Sequence, residues 1–297
     1  MTHVGLFNNL FSEEFHSIEE PSQPDSIPAT IYLKHALTTP YLMHQILATS
    51  ALHLSTRTPE SRNFYREYSA GLQNRALSLF NESNPVLEVT PANCVQMFLF
   101  SSLVGVHLLC DALHYQRDSI EVFIDGFTRC LNVYRGVLAV IDQSRHLLRE
   151  TELGSVLEMS HVLMGSTDTS TSGSECDALR SLIDAADVPP SSRKAYRESL
   201  FYLQQVFDAQ RAAPGNKTVF AWPVLVSPAY VDLLRQRQAE ALIILAHYAV
   251  ILHHSRHLWL IGNGGQFLVE SISGSLGSNW QEWLKFPNAG LRGEPAS

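Results

Sequence analysis

The run CVQMFLFSSLVGVHLLCDAL, residues 94–113, is apolar on almost every side of a helical wheel. Such a helix is stable only where all of its faces are covered. It is also about as long as a membrane span, which needs about 20 apolar residues. Yet it carries Gln96, Ser101, Ser102, His107 and Asp111 and lacks basic flanks. It therefore reads as the central buried helix of a soluble domain. Residues 229–258 read as a second long helix, polar at RQRQ and nearly all apolar from Ala239 to Leu252. Covering two such helices takes a shell of other elements, and the remaining pattern is helical throughout.

Helix starts are marked by a hydroxyl residue before proline at Thr39-Pro40, Thr58-Pro59, Thr90-Pro91 and Ser227-Pro228. The hydroxyl can cap orphan backbone N–H groups, and proline tolerates the first helical position. After Thr58-Pro59, residues Phe64, Tyr68, Leu72, Ala76, Leu79 and Phe80 share one face, with Arg62, Arg66, Asn74 and Ser78 largely opposite. Further helical patterns fall near 3–16, 28–38, 40–55, 118–140, 142–160, 176–186, 191–211 and 265–275. No series of alternating strands emerges. Thr218–Val226 could extend, but Pro223 makes it a connector. The expectation is an all-α fold: one multi-helix domain over residues 1–297, of about ten helices, with two long buried helices at its centre. Gly165–Ser174 (GSTDTSTSGS) is the candidate mobile loop within it.

Net charge is −8, and of 21 Lys and Arg only four are Lys. A chain this acidic has no broad basic footprint with which to displace counterions from a phosphate backbone. Direct DNA or RNA binding is not expected, nor is membrane attachment. Four scattered Cys suit a reducing compartment. The N-terminal segment resembles neither a signal peptide nor a transit peptide, which leaves nucleus or cytoplasm.

Candidate chemistry is sparse. Thirteen His invite a metal reading, but His253 and His257 sit in HHSRH, without the Glu of an H-E-x-x-H helix. With His247, which lies on a different face, they read as residues that cap or flank the end of a buried helix, and His44 and His53 read as core-edge residues. Cys94, Cys110, Cys130 and Cys176 have no zinc-cluster spacing and read as inert buried thiols. The glycine segments at 262–265 and 274–277 match no phosphate loop or dinucleotide turn, and no G-x-S-x-G elbow occurs. No metal site, cofactor or catalytic motif is expected.

Several segments, taken in order, resemble one family: PYLMHQILATSALHLS, FYREYSAGLQNRALSLF, TPANCVQMFLFSSLVGVHLL, then RQAEALIILAHYAVILHH, WLIGNGGQFLVESI and LGSNWQEWLKFP. They look like the fungal-specific transcription factor domain, nearest the sterol uptake regulator subgroup. The resemblance covers about residues 1–290. It implies an all-helical regulatory domain that works by protein contact, through a homodimer or a partner transcription factor, and that binds an apolar small molecule such as a sterol, terpenoid or polyketide. Members of that family normally carry an N-terminal six-cysteine zinc cluster and a basic linker. Here the first 33 residues contain no Lys or Arg, so the DNA-binding part is expected to be absent. That fits a truncated chain, a regulator working through a partner, or a domain recruited to another task. A biosynthetic cyclase or isomerase guided by shape is the alternative from a different class, and a dimerisation scaffold is a third.

For an apolar ligand the expected pocket borders the central helix and the C-terminal glycine-rich turn. Its lining would be Met97, Phe100, Ser101, Val104, Gly105 and Leu108 on one wall, with Trp259, Gly262, Gly264 and Gly265 on the other. His107 and His247 would be polar anchors, and in the enzymatic alternative the acid or base.

Overall fold

The computed structural model describes residues 3–10, 27–154, 172–212 and 217–293. Among them are twelve α-helices of seven or more residues and no strand, so the chain is all-α. Most of Gly165–Ser174 lies outside the described residues, as do residues 11–16 of the expected first helix. The chain forms two compact units: Met1–Asp111 with Val133–His161, and Ala112–Asn132 with Val162–Ser297.

The first unit contains α1 (His3–Asn9), α2 (Ala29–Ala36), α3 (Pro40–Arg57) and α4 (Arg62–Ser83). It also holds most of α5 (Cys94–Tyr115) and the C-terminal part of α6 (Ile120–Arg149). Small residues on α3 let neighbours approach closely. The Ser69 hydroxyl of α4 donates to the Ala48 carbonyl at 2.7 Å. The Ser50 hydroxyl donates to Leu6 O of α1 at 2.7 Å, and Asn9 Nδ2 donates back to Ser50 Oγ at 2.9 Å. The α1 carbonyl left open near its C-terminal end is thereby satisfied. Tyr41, Phe80 and Phe100 form an aromatic trio, with Phe80 and Phe100 stacked at 4.7 Å and Tyr41 edge-on to both. Of the most apolar 18-residue window of α5, 61% is buried within the protein. The surface that would otherwise suit lipid is thus largely spent on packing.

The second unit contains α7 (Asp177–Ala185), α8 (Pro190–Ala212), α9 (Ala221–Leu225), α10 (Pro228–Arg235), α11 (Ala239–His254), α12 (Gly264–Ser275) and α13 (Lys285–Arg292). Its core is built on Trp222, fully buried in the segment expected as a connector. The indole stacks on Tyr248 at 4.5 Å and donates to Ser199 O at 3.0 Å. Tyr230 and Tyr248 donate their hydroxyls to Ala241 O and Val219 O. Each polar tip finds a backbone partner, as buried aromatic hydroxyls and indoles require.

Three expectations change in detail. The helix expected over 229–258 is two helices, α10 and α11, because Arg237 adopts a left-handed φ of 58°. Arg237 N donates to Leu234 O at 2.9 Å and Gln238 N to Leu233 O at 3.1 Å, the double bond of a Schellman stop. Its side chain reaches Asp125 at 3.2 Å. Conversely, α6 runs unbroken from Ile120 to Arg149 across the gap expected between the patterns near 118–140 and 142–160, while residues 155–160 of the second pattern lie outside the described residues. Finally, the prolines do mark starts, but Ser227 is the hydroxyl that caps, accepting from Tyr230 N at 3.3 Å. Thr39 and Thr58 precede their helical turns without a side-chain cap bond. Thr90 instead opens a turn, its N–H donating to Asn93 Oδ1 at 2.7 Å.

Candidate functional site

Helical spacing assembles a pocket inside the first unit. On α4, Asn63, the adjacent pair Arg66 and Glu67, Ala70 and Gln73 follow one another at three- or four-residue steps along one stripe. On α5, His107, Leu108 and Asp111 do the same over one turn, and α3 contributes Leu52. These nine residues enclose about 370 Å³, within the range of small-molecule sites.

The lining is mixed. Leu52, Ala70 and Leu108 supply apolar surface, and the other six side chains are polar. Arg66 Nε lies 3.5 Å from Asp111 Oδ1 in a partly exposed ion pair. Glu67 adds a second carboxylate without a second cation, so the formal charge of the lining is negative. His107 is only 4% exposed and its Nδ1 has no hydrogen-bond partner. Gln73 Nε2 is likewise buried and unpartnered. Burial pushes the His107 imidazole down to about 4, against the opposing pull of the Asp111 charge. The ring is therefore neutral near pH 7 and offers a lone pair as well as an N–H.

Of the residues singled out from the sequence, His107 and Leu108 line this pocket. Met97, Phe100 and Val104 are buried in the first unit, Phe100 within the aromatic trio. Ser101 is half-buried. Gly105 faces the Tyr134 ring. Trp259, Gly262, Gly264 and Gly265 belong to the second unit, where close approach is put to use by the protein itself. A Cβ on Gly264 would stand 2.7 Å from Leu113, and one on Gly265 would stand 2.4 Å from Ala249 O and His253 N of α11. Gly262 takes a φ of 49° beside His114, whose Nε2 lies 2.9 Å from Trp259 O. Arg117 holds Asn263 Oδ1 at 2.6 Å. His247 is buried in the second unit, stacked on Phe286 at 5.1 Å with Nδ1 3.0 Å from Ile243 O. Burial depresses it too, to about 4, despite that hydrogen bond.

Sequence reasoning missed Arg66, Glu67 and Gln73 as site residues because they look like one wet helix face. The available signal was His107 and Asp111, two polar groups four apart in an otherwise apolar helix. All four cysteines are buried. Desolvation raises the thiols of Cys94, Cys130 and Cys176, the last to about 12. Among the described residues no group of three or more His, Cys, Asp and Glu gathers where it could hold a metal ion.

Helices and no strand among the described residues define an all-α protein, and its first unit holds a small pocket with a negatively charged lining. The sequence of residues 20–177 matches the model of the fungal specific transcription factor domain. That is more than half of the chain, and the chain belongs to this family. A Zn(2)-C6 fungal-type transcription factor of Gibberella zeae is 24% identical over 265 residues, covering 83% of this chain and 52% of that relative. The chain thus spans about half the length of the curated relative it matches.

Proposed function

We propose that this chain is the regulatory module of a fungal transcription factor, acting in the nucleus by protein contact and responding to a small molecule held in the first unit. The observation that carries the reading is the family match over residues 20–177. The net charge of −8 supports protein contact over phosphate contact. Exposed aromatic surface offers purchase for a partner: Phe64 is 52% exposed and stacks on Tyr68. The pocket between α3, α4 and α5 supports the effector part.

The test is a tethering assay. The full chain, fused to a heterologous DNA-binding domain, is expected to change transcription of a reporter carrying that domain's sites. Two reporters, one of low and one of high basal output, read activation and repression. An expressed, nuclear fusion that leaves both unchanged would overturn the regulatory reading.

A further inference from the structure

We propose that the pocket between α3, α4 and α5 takes a small amphipathic amine, a compound with a cationic nitrogen, a neighbouring hydroxyl or carbonyl, and a compact apolar body. The inference rests on the effector part of the reading above and names the ligand class.

The charge balance selects the head group. Asp111 and Glu67 face the pocket with Arg66 as the one cation of the lining, already shared with Asp111. A carboxylate or phosphate ligand would meet two like charges in a partly desolvated site. An ammonium group gains charge-assisted hydrogen bonds to the carboxylates instead.

Two buried nitrogens select what lies beside it. Gln73 Nε2 donates and has no protein acceptor, and His107 Nδ1 is similarly unpartnered at 4% exposure. Buried polar atoms are ordinarily hydrogen-bonded. A hydroxyl or carbonyl on the ligand can accept from Gln73, and a hydroxyl can also meet the neutral imidazole. Leu52, Ala70 and Leu108 cover the apolar remainder, and a volume of about 370 Å³ keeps that remainder small.

Three matched probes test this: phenylethanolamine, styrene glycol and mandelate. They share a phenyl ring and a hydroxyl and end in an ammonium, a hydroxyl and a carboxylate. In thermal unfolding of the full chain at millimolar probe, the amine is expected to raise Tm by a few degrees, the glycol less and mandelate not at all. Glu67→Gln should weaken amine binding by about tenfold. Ala70→Trp, on the exposed side of α4, should abolish it by filling the mouth without touching the core. Equal or stronger stabilisation by mandelate, an amine response unchanged in Ala70→Trp, or no response to any probe would overturn the assignment. The tethered reporter is read without any probe, so the regulatory reading and the ligand class fail separately.

Discussion

The ring of Tyr134 lies so close to Gly105 that a Cβ there would stand 2.6 Å from its Cε1 and 2.9 Å from its Cδ1. The small residue in the apolar helix admits the side chain of α6. Gly105→Ala should therefore destabilise by about 1–3 kcal/mol in urea titrations, the usual cost of overpacking a tight site. Gly105→Leu should leave little folded protein. A neutral Gly105→Ala would mean that the Tyr134 ring swings aside freely.

Two other glycines should respond with opposite signs. Gly71 lies within α4 with nothing within 4 Å of its would-be Cβ. Gly71→Ala should stabilise by about 0.5–1 kcal/mol, the helix-propensity difference. Gly265→Ala should unfold or severely weaken the protein, because the obstruction is the backbone of α11 rather than a movable side chain. Denaturation midpoints for the pair would show the contrast, and a stable Gly265→Ala would contradict the close approach of α12 to α11.

Acid should weaken the fold before the carboxylates titrate. His107 and His247 sit at about 4 in the folded chain, against 6.5 for a free imidazole. Between these values the unfolded chain binds more protons, so stability rises with pH across the window and is lost as pH falls from about 6.5 toward 4. Each histidine accounts for up to about 3 kcal/mol at the acid end. Urea midpoints at pH 7, 5.5 and 4.5 should fall steadily, and His247→Gln should flatten part of the slope. A midpoint constant over this range would mean that neither ring is held neutral.

Arg237 keeps a left-handed backbone where glycine is at ease. That conformation costs a non-glycine residue about 1–2 kcal/mol, while its ion pair with Asp125 is exposed and worth about 0–1 kcal/mol. The strain outweighs the pair, so Arg237→Gly should raise stability by about 0.5–1 kcal/mol. A loss of stability in thermal unfolding would show that the contact with Asp125 matters more than the strain.

The all-α class was legible because helical periodicity is written locally. The burial of α5 and α11 follows directly from residues 94–113 and 239–252. The stop at Arg237 was harder, since arginine is a good helix former and carries no turn signal. The positive φ is set by the two bonds that close the Schellman stop. The continuity of α6 was equally hidden, because polar residues near 141–146 mimic a boundary. The pocket was half legible. His107 stands out in an apolar helix, whereas Arg66, Glu67 and Gln73 become lining only when α4 lies beside α5. Trp222 went unnoticed for a related reason. Its neighbour Pro223 looks like punctuation, and the ring earns its place through Tyr248 and Ser199, distant in sequence.

The burial of all four thiols has a practical side. With Cys94, Cys110, Cys130 and Cys176 sealed in the interior and desolvation holding three of them protonated, the native chain presents no accessible thiolate to maleimides or mild oxidants. A cysteine placed on the exposed side of α4, at Ala70 for instance, becomes a unique handle. A fluorophore there would report directly on the mouth of the pocket, in a protein whose own sulfur stays silent.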